Sequence, residues 1–248
     1  MKTTKIFLLG IAGLSAVLAL SCTKTFDEKI AQQNDFSNSS LAQVFIGTAN
    51  ASRNYVYMDG KPVTGALLAS GGLFPANGTY AFNVPAGLRS FLIKDTLSTS
   101  TQVPLTFAEN LQVGKNYTIF TYDTITSPKQ ITVPNNMPLI KDTSCRIRFA
   151  NFIYSPTAVP AVDVYSRGKA TNVFTNVATN TVTDFIPYPS RLLNDTLDVR
   201  ETGTTNLVIR LIYSNFFSDR RYYTIAQRGS AQRGTYIGTR TVTTFLSY

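Results

Sequence analysis

Few side chains in this sequence of 248 residues could carry out catalysis. The sequence has no histidine and only two cysteines, Cys22 and Cys145, so the usual general base and metal ligand are absent. Without histidine, Cys145 cannot be activated as in a cysteine hydrolase. The only glutamates are Glu28, Glu109 and Glu201, and their spacing pairs no two of them across a cleft, as glycoside hydrolysis requires. The sequence therefore predicts a protein that is not an enzyme and uses no cofactor.

Three carboxylates, Asp195, Asp198 and Glu201, follow one another at intervals of three residues. On a strand such positions alternate between the two faces, so the side chains do not converge on one ion without a bend. We therefore predict no metal site. Cys145 precedes an apolar alternation and is predicted to be a small buried side chain at the start of a strand.

Three residues are candidates for contacting a ligand: Tyr154, Asp163 and Tyr188. Tyr154 and Tyr188 belong to two proline-bearing segments, residues 152–160 and 187–194, which are predicted to be loops carried by rigid sheets. Tyrosines there could stack on sugars, although packing within the sheets is the alternative. Asp163 lies between two valines. It is either a ligand contact, a residue on a solvated face, or a carboxylate that caps the first of these loops.

The N-terminus has the order of a secretion signal. Lys2 and Lys5 precede an apolar run that stops at Cys22, and the run is too short to span a bilayer as a mature helix. The small residues around Ser21 favour cleavage just before Cys22. This segment resembles the signal of bacterial lipoproteins, although Ala19 stands where the usual lipobox has leucine. The alternative is an ordinary secretory signal in which Cys22 has no role.

A lipoprotein signal implies that Cys22 becomes the first residue and carries acyl chains that hold the body on a membrane. Residues 1–21 are then the signal peptide, and residues 22–40 are a lipidated tether. The resemblance implies the bacterial cell envelope, most often the outer membrane, on its periplasmic or exposed side. The membrane, reached through the N-terminal lipid, is then the first expected partner.

The chain is basic. Of the net charge of +9, Lys2 and Lys5 belong to the signal. A basic body near a membrane is attracted to anionic lipids, lipopolysaccharide or acidic glycans. Scattered arginines also serve solubility alone, and no nucleic-acid-binding module is recognisable, so nucleic acid is not an expected partner.

From residue 41 onward, β-branched and aromatic residues alternate with polar ones in short runs. Turn residues such as Asp59-Gly60 and Asn77-Gly78 separate the runs. Short strands with frequent turns predict an all-β fold of the β-sandwich type. The alternating polar residues predict that each sheet has one solvated face. The runs of the first half are residues 43–46, 55–58, 79–84, 90–93, 103–107 and 117–122.

The pattern recurs after about 105 residues, the size of one immunoglobulin-like sandwich. Residues 43–50 align with 146–153, residues 54–61 with 162–169, and residues 114–119 with 219–225. Tyr117, and either Tyr222 or Tyr223, are positioned like the tyrosine corner of Greek-key sandwiches. We predict two tandem immunoglobulin-like or transthyretin-like β-sandwich domains, residues 41–134 and 142–248. A proline-bearing linker, residues 135–141, follows an edge strand around Ile131.

The second copy also carries a family resemblance. Its motifs are Arg146-Ile147-Arg148-Phe149-Ala150-Asn151, then Ser155-Pro156, then Pro160-Ala161-Val162-Asp163-Val164-Tyr165. They resemble an uncharacterised β-sandwich family, a domain of unknown function that recurs in tandem in secreted and lipid-anchored bacterial proteins. The first copy lacks the proline and the Ala-Val-Asp-Val run. The resemblance implies fold and location and no catalytic residue.

Two functions follow as expectations. The first is a non-catalytic binding or adhesion module of the cell envelope, with glycans or envelope proteins as partners. The second is a structural subunit, because fimbrillins are also lipoprotein precursors with two β-sandwich halves and polymerise by strand exchange. The final run, residues 239–248, could pair within the chain or with another copy.

Overall fold

The computed structural model describes residues 37–190, 195–212, 217–232 and 239–248. These residues form strands and loops without a helix, so the predicted all-β fold is confirmed. Within these ranges no helix has the length and hydrophobicity to cross a membrane. The predicted signal peptide, Cys22 and most of the tether lie outside the described residues, as do residues 191–194 of the second predicted ligand loop.

The N-terminal half, residues 37–134, is a sandwich of two sheets. Its described strands are β1 (Ser39–Ile46), β2 (Asn54–Met58), β3 (Lys61–Pro62), β4 (Leu73–Phe74), β5 (Phe82–Pro85), β6 (Gly87–Asp95), β7 (Leu105–Leu111), β8 (Asn116–Tyr122) and β9 (Lys129–Pro134). One sheet has the order β4-β1-β8-β9, with β5 also paired to β1, and the other has the order β3-β2-β6-β7. Asp59 and Gly60, both with positive φ, make the predicted two-residue turn between β2 and β3.

The C-terminal half repeats this pairing. Its described strands are β10 (Cys145–Tyr154), β11 (Val162–Ser166), β12 (Thr171–Val177), β13 (Thr181–Val182), β14 (Ile186–Tyr188), β15 (Thr196–Glu201), β16 (Leu207–Ile212), β17 (Tyr222–Ser230) and β18 (Thr241–Leu246). The sheets are β13-β10-β17-β18, with β14 on β10, and β12-β11-β15-β16. In each half the first strand runs parallel to the eighth, β1 to β8 and β10 to β17, whereas the other strand pairs are antiparallel.

Two tyrosine corners fix how the halves correspond. The Tyr117 hydroxyl accepts a hydrogen bond from the backbone N–H of Gln112 (3.1 Å), and the Tyr223 hydroxyl accepts one from that of Ser218 (2.9 Å). Tyr223, rather than Tyr222, is therefore the counterpart of Tyr117.

The predicted alignment of the first strands is wrong by two residues. Gln43 pairs with the residue after Tyr117, and Arg148 pairs with the residue after Tyr223. Gln43 thus corresponds to Arg148 and not to Arg146. A shift of two residues keeps every side chain on its face, so the apolar pattern alone could not reveal it.

Each sandwich has its own core, and a third core joins the halves. The third core is built on aromatic rings: Phe45 and Phe120 from the N-terminal half, and Phe152 and Phe245 from the C-terminal half. The β1 and β10 sheets therefore face each other, and their central strands, β1, β8, β10 and β17, are buried on both faces. The predicted solvated face holds for outer strands such as β7, whose burial alternates, but is wrong for the two inner sheets.

The segment between the halves is only partly exposed. β9 is the predicted edge strand, since β8 is its partner in the described sheet. Within the predicted linker, Asn135 and Ile140 are buried, whereas Leu139 is 85% exposed. Residues Phe36–Tyr248 form one compact unit, so the division into two domains at residues 134 and 142 stays a prediction.

Candidate functional site

The amide cavity, about 160 Å³ in volume, lies at one end of the C-terminal sandwich. Asn151 and Gln227 form its polar wall, and Val159, Pro160 and Val208 contribute apolar wall. Glu201, the last residue of β15, also lines it. Thr179 and Arg240 line it too. The cavity thus combines two amides, one acidic and one basic side chain, a hydroxyl and aliphatic side chains, a composition usual for binding sites of small ligands.

The parallel pairing of β10 and β17 sets the two amides side by side. Asn151 is directly paired with Gln227 in the strand register. Phe149 and Ile225, two residues earlier on the same strands, belong to the sandwich core. Side chains two residues apart on a strand lie on the same face of the sheet. The amides therefore point into the interior of the sandwich, where its core gives way to the cavity.

The amides are buried but only partly hydrogen bonded. Asn151 is 1% exposed and Gln227 is 0% exposed. The Asn151 Nδ2 group donates to the carbonyl oxygen of Val177 (3.1 Å), but its Oδ1 atom has no hydrogen-bond partner among the described residues. The same holds for both polar atoms of the Gln227 side chain. Buried polar groups are normally paired, and leaving one unpaired costs about 1–3 kcal/mol.

The N-terminal half provides an internal comparison. The counterparts of Asn151 and Gln227, by the tyrosine-corner alignment, are Ile46 and Thr121. There the hydroxyl of Thr48 donates to that of Thr121 at 2.8 Å, and all three side chains are buried. The same place thus holds buried side chains with satisfied hydroxyls in one half, and buried amides with unpaired atoms in the other.

A second cavity, the loop cavity, lies across the segment of residues 155–160. It measures about 300 Å³ and is lined mainly by polar groups. Tyr154 and Ser155 line it from the C-terminal half, and Asp123 and Lys129 line it from the N-terminal half. Lys129 Nζ lies 2.8 Å from Asp123 Oδ2, and this hydrogen bond and charge raise the pKa of Lys129. The Ser155 hydroxyl is buried without a partner among the described residues.

Of the three predicted ligand contacts, Tyr154 alone lines one of these cavities. Asp163 is buried and accepts hydrogen bonds from the backbone of Asn176 (2.8 Å) and Gly203 (3.1 Å). The hydroxyl of Thr202 also donates to it (3.0 Å). Asp163 thus joins β11 to β12 and to the β15–β16 turn. The sequence offered a solvated face or a cap on the loop of residues 155–160 as alternatives for Asp163. The structure shows neither.

Tyr188 is also placed differently from the expectation. It is 1% exposed in the core beneath sheet β10, and its hydroxyl donates to Asp195 and lies 3.1 Å from Ser166 Oγ. A ring so enclosed cannot stack on a ligand at the surface, so this expectation is corrected.

The three evenly spaced carboxylates have separate surroundings, as predicted. Asp195 bonds to Ser166 and Tyr188, Asp198 meets three arginines, and Glu201 lines the amide cavity. Throughout the described chain, no three Cys, Asp or Glu side chains cluster in a way that could hold a metal ion. Cys145 begins β10 fully buried, as predicted, and burial raises the pKa of its thiol to about 12.

The two cavity amides were missed from the sequence. Asn151 and Gln227 each interrupt a run of alternating apolar residues, at Phe149-x-Asn151-x-Ile153 and Tyr223-x-Ile225-x-Gln227. A polar side chain at a core position of a strand is the signal that could have identified them. Compared with known protein families and with curated proteins, the sequence matches no family model and no curated relative.

Proposed function

We propose that this protein is a non-catalytic lipoprotein of the bacterial cell envelope that binds an uncharged, hydroxyl-rich ligand, such as a sugar unit of a glycan, in the amide cavity. The observation that carries the proposal is the set of three buried, unpaired amide atoms on Asn151 and Gln227.

The chemistry of the cavity suits hydroxyl groups. The Gln227 amide offers two N–H donors and a carbonyl acceptor, and Asn151 offers a further acceptor. A sugar hydroxyl both donates and accepts, so adjacent hydroxyls can satisfy adjacent amides. Val159, Pro160 and Val208 give an aliphatic wall against which the C–H groups of a sugar ring can pack.

The position of the cavities also suits a tethered binding protein. The loop cavity is reached at Asp123, just beyond the end of β8, whereas β8 begins beside the start of β1, where the tether joins the body. The loop of residues 155–160 and the start of β1 are therefore at opposite ends of the inner sheets. A lipid on Cys22 would leave the cavities facing away from the anchoring membrane.

A glycan array followed by calorimetry on the enriched glycan tests the binding proposal. Gln227→Leu should weaken binding at least about tenfold, because a desolvated hydroxyl would lose its partner. The variant should still fold, since it removes two unpaired polar atoms and keeps the volume similar. Gln112→Leu, the same exchange at an exposed site far from the cavity, should bind normally. An array without any enriched glycan, or unchanged binding by Gln227→Leu, would contradict the proposal.

The anchor is tested separately by mass spectrometry of protein extracted from membranes. The expected N-terminus is Cys22 bearing acyl chains. A mature chain that keeps Met1, or begins with unmodified Cys22, would refute the lipoprotein part of the proposal while leaving the cavity untouched.

A fimbrillin-like structural subunit is the alternative function. It needs a strand that is free to complete the sheet of another copy. β18 instead pairs along its full length with β17 of its own chain, so we place this alternative second. Fibres of the purified protein under the electron microscope would favour it.

A further inference from the structure

One end of the molecule, the tether end, is defined by where the tether joins β1. The Ser39 carbonyl accepts a hydrogen bond from the Gly114 N–H (2.8 Å), and the Asn38 carbonyl accepts one from Ala86 (2.9 Å). The Leu41 N–H donates to the carbonyl of Lys115 (2.9 Å). The β5–β6 and β7–β8 turns therefore flank the point where the tether enters.

The four most exposed large apolar side chains of the described chain all lie at this end. They are Leu139 (85%), Tyr80 (79%), Leu88 (71%) and Val113 (54%). Leu88 is the second residue of β6, directly after the β5–β6 turn, and Val113 lies in the β7–β8 turn. The other exposed large apolar side chains are only 44–49% exposed and lie elsewhere; they are Leu67, Leu97, Val103 and Leu207. Large apolar side chains gathered and exposed at one place mark an interaction surface.

Tyr80 and Leu139 also border an apolar cleft of about 300 Å³. Leu41 and the C-terminal Tyr248 line the same cleft, and the rings of Tyr80 and Tyr248 are 5.3 Å apart. Arg220 and Arg221 stand at its edge. The cleft thus places two tyrosines, whose rings suit a membrane–water interface, next to two cations.

The tether end has an excess of positive charge. Lys115, Lys141, Arg220 and Arg221 are exposed. None of these four cations forms an ion pair with a described carboxylate. The acids nearby have their own partners: Asp59 pairs with Arg89 (3.1 Å), Asp142 pairs with Arg146 (3.5 Å), and Asp219 bonds to Ser190.

We propose that the tether end is a docking surface for an anionic lipid bilayer. The four basic side chains contact the phosphates, and Leu139, Tyr80, Leu88 and Val113 enter the interfacial region. Basic residues and exposed apolar residues on one face are the two attractions that hold a protein on an anionic membrane. The inference takes the lipid anchor of the proposed function as its premise, because the anchor keeps this end at high local concentration near the lipid.

Proteoliposomes containing the mature, lipidated chain test the docking. An environment-sensitive fluorophore is attached at Leu139→Cys or, as the matched control at a less exposed leucine remote from the tether, at Leu207→Cys. The natural cysteines do not interfere, since Cys22 is acylated and Cys145 is buried with a raised pKa. Brominated phosphatidylglycerol mixed with phosphatidylcholine serves as the quencher.

Quenching is expected at position 139 and not at position 207, and it should fall strongly at about 1 M salt, where the Debye length is about 3 Å. A variant with glutamate at positions 115, 141, 220 and 221 should still float with the vesicles but lose the quenching. Vesicles made only of brominated phosphatidylcholine, which keep the quencher but carry no net charge, should give the same loss.

Three results would overturn the docking. The first is protein that floats with the vesicles while the probe at position 139 is unquenched; this refutes the docking and leaves the anchor intact. The second is protein that does not float at all, which refutes both. The third is a probe at position 139 already shielded in buffer on the mature chain carrying Cys22→Ser. The occupant is then this chain itself if the sample is monomeric, or a second copy if it is dimeric.

Discussion

Three buried aspartates of the C-terminal half hold neighbouring strands and turns together through hydrogen bonds. Asp163, Asp195 and Asp198 are each 6% exposed or less, and each accepts at least three hydrogen bonds from neighbouring strands and turns. Burial acts to raise the pKa of each carboxyl, but the hydrogen bonds outweigh it and the net pKa is lowered. Their charge therefore stabilises the folded state.

Asp198→Asn should destabilise the protein by about 3 kcal/mol at neutral pH. Arg210 (2.7 Å), Arg167 (2.9 Å) and Arg200 (3.1 Å) converge on Asp198. Despite burial, their hydrogen bonds lower its pKa to about 2. The folded pKa lies below the unfolded value, so the stabilisation is present above about pH 4 and is lost as the pH falls to about 2.

Urea unfolding of wild type and variant at several pH values measures this difference. The two free energies of unfolding should converge as the pH falls through that window. Asp142→Asn is the control, because the Asp142 side chain is 62% exposed, and it should change stability by less than about 0.5 kcal/mol. If the difference in unfolding free energy between wild type and Asp198→Asn persists at pH 2, the arginine cluster is not what makes the Asp198 carboxylate stabilising.

At the scale of strands, the sequence predicted the outer sheets better than the inner ones. Outer strands such as β7 alternate in burial, and alternation is the pattern by which a sequence reveals a strand. β1 and β10 are buried on both faces, so their apolar runs do not show which residues face which layer. The third core depends on contacts between distant segments, which no local pattern contains.

The same limit explains which residues of the candidate site the sequence revealed and which it missed. Tyr154 was identified because it directly precedes a segment with two prolines, where the sequence signal is local. Tyr188 and Asp163 are also residues of types that contact ligands, but strands distant in the sequence enclose them. Asn151 and Gln227 were missed because a polar residue in a strand is usually on a solvated face. Only their pairing across β10 and β17 shows that both point inward.

Gly47, which directly follows β1, shows how closely the strands of one sheet must approach. A Cβ atom at Gly47 would lie 2.4 Å from the backbone oxygen of Thr121, and this oxygen cannot move without disturbing β8. Gly47→Ala should therefore destabilise the protein by about 2 kcal/mol or more. Gly65 has no atom within 4 Å of such a Cβ. Gly65→Ala should leave stability unchanged or slightly raised, by about 0.5 kcal/mol.

Thermal unfolding of both glycine variants compares them directly. Equal midpoints for Gly47→Ala and Gly65→Ala would mean that β1 can move away from β8 without loss.

For the whole molecule, the contact between the inner sheets determines how the two halves are placed. Phe152 packs against Phe120 and Tyr122, with ring centroids 5.0 and 5.6 Å apart. The Gln43 side chain accepts a hydrogen bond from the backbone of Tyr248 (3.0 Å) and donates to the carbonyl of Leu246 (3.1 Å). Because the loop cavity takes residues from both halves, its shape depends on this contact.

Arg148 lies buried in this contact, 1% exposed. It donates to the hydroxyls of Thr224 (2.7 Å) and Thr118 (2.9 Å), and its guanidinium lies over the ring of Phe185, 4.5 Å from the centroid. No described carboxylate is within ion-pair distance of it. Burial lowers its pKa to about 9, so the charged form is destabilised by folding. The charge therefore opposes stability while the hydrogen bonds fix the relative placement of the halves.

Arg148→Met should leave the thermal midpoint unchanged or raise it, because a side chain of similar volume replaces a buried charge that has no counter-ion. The two threonine hydroxyls keep other partners, Asn135 for Thr118 and Ser247 for Thr224. Arg148→Ala should instead lower stability by about 2 kcal/mol or more, since it leaves a cavity.

The pKa of Arg148 is lower in the folded state than in the unfolded state, so the penalty for its charge in wild type is full below about pH 9 and declines above it. The advantage of Arg148→Met over wild type should thus shrink as the pH rises past 9. A Met variant that melts several degrees below wild type at pH 7 would show that the arginine stabilises the contact between the halves.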